Sequence, residues 1–346
     1  RWGLFPSAAF AWKLSNEPVI AATPWISDLK LRLGYGVTGQ QDVLSDYPYL
    51  ARYTPSQDNA QYQFGNTFYQ TLRPEGYDSG IKWEETTTYN VGIDYGFMND
   101  RFTGTVDVYL KQTRDLLSVI PVPAGSNFTN QILTNVGNID NRGVELTFNA
   151  GVIQREDLQV DLGANFTFNQ NTITNLTQVE DSSFQGILVG GIGGGVGNTI
   201  QIHSVDFPAF SYFVFEQLYD DEGRPIEGDY VDQNGDEMIT PDDRVRKHSP
   251  NPQYFLGLTG QVRYKAFTAS FLFRSNIGAY VYNNVNSNNG AYRAVQNAQP
   301  FLENMVVDVL NTGFENNQYF SDYYLEKANF VRFDNFSLGY DFGTIG

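Results

Sequence analysis

The chain has 346 residues, enough for two or three ordinary domains or for one large all-β barrel. Its 22 Lys and Arg against 39 Asp and Glu leave a net charge of −17, a field that repels phosphate backbones and argues against nucleic-acid partners. The absence of Cys excludes a disulfide framework, thiolate metal sites and cysteine nucleophiles, as suits an exported protein, and with only His203 and His248 imidazole chemistry is scarce. Aromatic residues make up 15% of the chain, while charged residues are 18%, below the roughly 25% of a soluble domain. The mean hydropathy of −0.36 is that of a soluble protein, and no stretch approaches the ~18–20 apolar residues of a membrane helix. A transmembrane barrel stays open, because alternating strands average to neutral hydropathy. The start at Arg1-Trp2-Gly3-Leu4-Phe5 has no Met and no signal-peptide architecture, so the chain reads as a piece of something larger.

In chain order, Trp2 to Leu14 is a weak strand candidate, and Leu29 to Thr38 a clear one with Leu29, Leu31, Leu33 and Tyr35 on one face. Tyr89, Val91, Ile93 and Tyr95 precede a turn at Met98-Asn99-Asp100, where Asn and Asp tolerate positive φ; Phe102, Val106, Val108 and Leu110 follow it. Val144, Leu146, Phe148 and Ala150 then pair through Gln154 to Asp157 with the cleanest alternation in the chain: Leu158, Val160, Leu162, Ala164, Phe166 and Phe168 against Gln159, Asp161, Asn165, Thr167 and Asn169. An amphipathic helix needs apolar residues at i, i+3 and i+4, so this pattern is β. Phe210 to Tyr219 is a weak strand. Gln253 to Val262 and Phe267 to Ser275 flank Tyr264-Lys265-Ala266, and Asn335 to Phe342 closes the set.

Short turns alternate with long polar loops at Gly39 to Lys82, Arg114 to Asn141, Asn171 to Pro252 and Ile277 to Phe330. Compact soluble domains seldom hold several structureless loops beyond ~12–15 residues, whereas outer-membrane barrels combine short periplasmic turns with long extracellular loops. Tyr89, Tyr95, Tyr109, Phe168, Tyr254, Phe255, Tyr264 and Tyr340 would then form interfacial girdles. The competing reading is a soluble β-sandwich or propeller.

Four motifs resemble one family. LKLRLGYGVTGQ (Leu29 to Gln40), NVGNIDNRGVELTFNA (Asn135 to Ala150), the block from Asp229 to Asn283 and YLEKANFVRFDNFSLGYDF (Tyr324 to Phe342) are similar, in that order, to signatures of SusC/RagA-type TonB-dependent outer-membrane transporters of Bacteroidota. The resemblance implies an all-β fold that is part of a large antiparallel transmembrane barrel of about 22 strands. It further implies import of oligosaccharides or peptides without catalysis, a SusD-like surface lipoprotein, and energy from TonB-ExbBD through a plug. On this reading residues 1–346 lack the plug and the final strands, since Gly343-Thr344-Ile345-Gly346 is not an aromatic-ended closing strand.

The sharpest local motif lies in 229–243. Against a calcium-loop template, Asp232, Asn234 and Asp236 fall at ligand positions 1, 3 and 5, the Met238 carbonyl at 7 and Asp243 at 12, with Glu237 where the template has Gly. Ca²⁺ is one expectation; an acidic solvated loop held by Asx turns is the other. Loop aromatics Tyr47, Tyr49, Tyr53, Tyr282 and Tyr292, among Asn, Gln and Asp, could stack on sugar rings or peptide side chains, or pack the loops together. The glycine cluster Gly186 to Gly197 has no phosphate-loop pattern and reads as a flexible loop. His203 with Ser204 and Asp206 lacks the separated partners of a triad, and Glu84-Glu85 and Asp242-Asp243 read as solvated carboxylates. A secreted carbohydrate-binding module with a calcium loop is the alternative function; a soluble glycoside hydrolase is a weaker one.

Overall fold

A computed structural model describes residues 3–40, 47–123, 125–177, 184–194, 197–296 and 304–343. Trp2, Gly195 and residues 344–346, which figure in the expectations above, lie outside them. Nine strands form one antiparallel meander: β1 (Ser7–Lys13), β2 (Ile26–Gln40), β3 (Glu84–Phe97), β4 (Phe102–Pro121), β5 (Gln131–Gln154), β6 (Leu158–Asn175), β7 (Tyr254–Tyr264), β8 (Phe267–Ile277) and β9 (Phe330–Tyr340). Each pairs with the next in sequence, and β1 and β9 are not paired with each other.

The register carries the alternation across strands as well as along them. Leu31 lies opposite Ile93, Ile93 opposite Val106, Val106 opposite Leu146, Leu146 opposite Phe166 and Phe166 opposite Leu256. A parallel row runs through Tyr95, Gly104, Phe148, Ala164, Leu258, Phe273 and Phe333. Across these rows one face of the sheet is therefore apolar, and the residues between belong to the other face. Among the described residues no second layer covers it: Leu162 is 38% exposed and Leu258 43%. A sandwich would seal that row, so this face meets a different medium.

Aromatic rings edge the apolar face at both ends. Tyr35 and Tyr89 pair at 5.4 Å, as do Phe168 and Tyr254, near one end; Trp25, Phe97 and Tyr95 cluster at 5.4 Å near the other, with Phe267 against Tyr340 at 4.7 Å. From Tyr89 to Phe97 there are nine residues, within the ~9–11 that a tilted strand needs to cross a bilayer. Two of the expected girdle residues face the other way. Tyr109 alternates with Val108 and Leu110, so its ring projects from the polar face and its hydroxyl donates to Asn169 Oδ1 at 2.9 Å. Phe255, between Tyr254 and Leu256, is displaced for the same reason of parity. The Tyr109 ring also explains Gly143 in the GVEL motif: a Cβ there would lie 2.4 Å from the Tyr109 hydroxyl oxygen and from the Phe168 carbonyl.

Connections are short at one end. The β3–β4 turn places Met98, Asn99 and Asp100 at φ 54°, 56° and 60°, and the two-residue β7–β8 turn places Lys265 at 53°. At the other end the long connections differ from expectation in two ways. Arg114 to Asn141 is not a loop: β4 and β5 continue their ladder through a bulge near Thr113 to Leu116 as far as Pro121 and Gln131. The segments after β6 and β8 are not structureless either. They hold a four-stranded sheet (Ile187–Gly191, Thr199–His203, Ser211–Val214, Val245–Lys247), a pair Gln217–Tyr219 with Pro225–Tyr230, and a pair Tyr280–Tyr282 with Leu325–Lys327. The weak strand Phe210 to Tyr219 thus divides between two sheets, and part of the glycine cluster, Ile187–Gly191, is a strand.

The apolar face sets a directional prediction. Replacing Leu258 by Arg in the complete protein should lower stability by about 2–4 kcal/mol in urea unfolding from lipid, the cost of a midplane cation. Thr259→Arg, one residue along and on the opposite face, should change it far less; equal losses would show that both faces meet the same medium.

Candidate functional site

The polar face of the wall is built from ion pairs between neighbouring strands. Arg32 on β2 bonds Asp94 on β3 and Asp107 on β4, both at 2.8 Å, and Lys30 approaches Asp94 at 3.4 Å. On β8 and β9, Arg274 pairs with Asp334 at 2.9 Å. These groups alternate with the apolar row, so a single ribbon separates hydrocarbon-compatible side chains from a wet, charged surface.

Above the wall, residues 184–253 and 278–329 fold together into a cap wherever they are described. Ile200, Tyr212 and Val214 make one buried cluster against Tyr280, Tyr282, Phe320 and Leu325; Ala291, Phe314 and Tyr324 make another. The two segments are also joined by polar bonds. Buried Ser321 donates to Gln217 Oε1 at 2.7 Å, Lys247 Nζ lies 2.6 Å from Asp322 Oδ2, and Glu227 accepts from the backbone N–H groups of Glu315 and Asn316. The Tyr230 hydroxyl donates to Gln318 at 2.6 Å, and burial pushes its pKa up to about 12. The cap therefore has a packed core of its own rather than being a set of separate loops.

Of the five residues read as calcium ligands, Asp232, Asn234, Asp236 and Asp243 act as turn-closing acceptors, while Met238 donates its backbone N–H. Asp232 accepts from the N–H of Gly235 (2.7 Å) and of Glu237 (2.8 Å), Asn234 from Asp236 (2.9 Å), and Asp236 from Met238 (2.8 Å). Buried Asp243 accepts from Thr240 and Gln233 backbone N–H groups, which hold its carboxyl below the usual carboxylate range. Glu237 takes φ 63°, the left-handed conformation of the template's glycine. Among the described residues, no three His, Cys, Asp or Glu side chains form a metal-holding group.

The five tyrosines separate into two groups. Tyr47, Tyr49 and Tyr53 are exposed on the β2–β3 connection, the first two with rings 6.4 Å apart. Tyr282 is half-buried between the cap clusters, bonded to the Tyr319 carbonyl and 6.0 Å from Tyr324, while the half-buried Tyr292 bonds the Phe314 carbonyl through its backbone N–H. Ser204 Oγ donates to the Gln185 carbonyl, and the His203 ring meets Phe210 edge-on at 4.6 Å.

A feature missed in the sequence is the basic run Arg244-Val245-Arg246-Lys247-His248. Arg244 and Arg246 both stack on Phe213, at 4.7 and 5.1 Å, Lys247 points to Asp322, and His248 lies flat on Tyr280 at 3.6 Å. Three permanent cations in four positions of so acidic a chain were the available signal.

These observations define an outer-membrane barrel wall with a folded extracellular cap. The family described as TonB dependent receptor-like, beta-barrel matches residues 1–200, and the chain belongs to that family, in the SusC/RagA-type branch, which places it in the bacterial outer membrane. It is 39% identical over 351 residues to the TonB-dependent receptor SusC of Bacteroides thetaiotaomicron, matching 100% of this chain and 35% of that protein. It is 27% identical over 396 residues to the TonB-dependent receptor P39 of Formosa agariphila, matching 99% of this chain and 36% of that one. The RagAB peptide transporter shares the fold, with a TM-score of 0.73 over 97% of this chain and 37% of that chain at 24% identity. The chain thus spans about a third of the length of these relatives. The short turns are the periplasmic end and the cap is extracellular.

The cap makes a pH prediction. Burial lowers the pKa of both His203 and His248 from the ordinary imidazole value. The unfolded cap therefore binds protons more readily, and stability that is whole above pH ~6.5 falls as pH drops below it. Amide exchange, corrected for its intrinsic rate, should show less protection at 199–215 and 279–283 at pH 5.5 than at pH 7.5. A double variant with His203→Phe and His248→Phe should lose that difference; equal protection at the two pH values in the parent would refute the coupling.

Proposed function

We propose that the chain is wall and cap of an importer that carries oligosaccharides, or else peptides, across the outer membrane. A SusD-like lipoprotein closes over the cap, and TonB-ExbBD supplies energy through a plug domain of the same polypeptide. The observation that carries the reading is the wall itself: one face apolar across nine strands, the other laced with ion pairs, with the end opposite the short turns covered by a cored cap. Family membership supports the mode of energy supply, and the relatives' names bear on cargo only through the peptide transporter RagAB. The strand edges at β1 and β9 pair with further strands of the same barrel, since unpaired edges are not tolerated in hydrocarbon. No bond of the cargo is made or broken on this reading.

Deleting the gene should abolish growth on an oligosaccharide or oligopeptide as sole carbon source while leaving growth on its monomer intact, and loss of TonB should give the same phenotype. Unchanged growth on every oligomer tested would remove the import reading. The complete protein should also need detergent for extraction and migrate differently on gels when heated.

Calcium at the loop 229–243 is a separate proposal, for which the oxygen donors at template spacing are the support. Binding would draw Asp232 and Asp236 away from their backbone partners toward the Met238 carbonyl and Asp243. Calorimetric titration of calcium into the complete protein should give saturable heat that Asp232→Ala abolishes; no heat in the parent removes the ion.

A further inference from the structure

Where the upper ends of β6, β7 and β8 meet the cap lies a cavity of about 240 Å³. That is below the ~300 Å³ at which sites for larger organic ligands begin, and suits a single monosaccharide or a single amino-acid residue. Among the described residues its lining contains no Asp or Glu, although the whole chain carries 39 acids against 22 bases. Arg246 is the one permanent charge in that lining.

The guanidinium of Arg246 is fixed entirely by neutral groups. Nε donates to Ser204 Oγ at 2.8 Å and Nη2 to the Gln185 carbonyl at 2.7 Å, and the group lies 5.5 Å above Phe207 and 5.1 Å above Phe213. No described carboxylate comes within ion-pair distance of it, whereas the adjacent Lys247 has both Asp322 and Glu216. Burial lowers the Arg246 pKa from its ordinary value. Uncommitted amide donors flank the cation in the same cavity: Asn171 accepts from the Ala209 N–H through Oδ1, leaving its Nδ2, and the Gln253 side chain makes no hydrogen bond to described residues.

We propose that this cavity is a subsite for a carboxylate-bearing unit of the cargo, with Arg246 taking the carboxylate and the amides of Asn171 and Gln253 its hydroxyl or carbonyl oxygens. A preset, partly desolvated guanidinium gives charge-assisted bonds about twice as strong as neutral ones, and the carboxylate supplies the counter-charge that the protein omits. Two sources share this chemistry: a uronic acid ring of an oligosaccharide and the carboxyl terminus of a peptide. The inference rests on the import reading for the word cargo and not for the binding itself.

The test is calorimetry on the complete protein in detergent with two matched pairs of probes, glucuronate against glucose and acetyl-alanine against acetyl-alanine amide. One carboxylate should bind about tenfold or more tightly than its neutral match, and which one does identifies the source. Arg246→Gln should abolish the preference and Arg246→Lys should keep part of it. Because Arg246 also braces the cap, Gln253→Glu serves as a second variant of nearly the same shape. It should weaken the carboxylate probe at least about fivefold more than the matched neutral probe, which loses only the Gln253 amide bond, with the near-ultraviolet circular dichroism unchanged. No preference for either carboxylate in the parent, or a preference that survives both Arg246→Gln and Gln253→Glu, overturns the subsite. The growth assay reads import independently, so the two can fail separately.

Discussion

The constraint from which the rest follows is that a backbone crossing hydrocarbon must satisfy every N–H and C=O within the protein. A ribbon of neighbouring strands does so, and it leaves side chains pointing alternately into two media. The chain exploits both directions: rows such as Leu31–Ile93–Val106–Leu146–Phe166–Leu256 on one side, Arg32 with Asp94 and Asp107 on the other. A charge such as Arg32 is tolerable there because parity keeps it out of the lipid and two carboxylates meet it. A one-residue slip in any ladder would exchange the two media for a whole strand, so the register is held by bulk solvent preferences as much as by hydrogen bonds.

The wall has no interior of its own, and the buried clusters therefore gather above it. Phe314, Val214, Ile202 and Ser321 are sealed in the cap, whereas wall residues such as Leu33, Val91, Leu162 and Leu258 stay open to their surroundings. The polar links between the two cap segments, Gln217 to Ser321 and Lys247 to Asp322, lie beside those clusters, where water competes least. The cavity, whose described lining holds no acid, sits at the base of the cap where it meets the upper ends of β6, β7 and β8.

How far the sequence was legible depends on how local each cause is. Alternation from Leu158 to Phe168 needed only period two and was visible at once, as were the turns at Met98 to Asp100 and Tyr264 to Ala266, whose positive φ values follow from Asn, Asp and a short connection. Tyr109 and Phe255 were read as girdle residues from their type, although counting parity along their own strands would have placed them on the polar face. The bulge near Thr113 to Leu116 hid the upper halves of β4 and β5, since a bulge interrupts the alternation that announces a strand. The tyrosines divided because type alone does not distinguish a ring that stacks on cargo from one that, like Tyr282, fills a core.

By itself the sequence determined the strand character of the wall, the face that meets lipid, the alternation of short and long connections and the family, because each is written in nearest-neighbour pattern or in motif. The cap's core, the pairing of Lys247 with Asp322 across 75 residues and the gathering of Arg246, Asn171 and Gln253 around one acid-free cavity were decided by the tertiary structure alone. These rest on contacts between distant segments whose sequences carry no shared period, so only the folded chain brings them together.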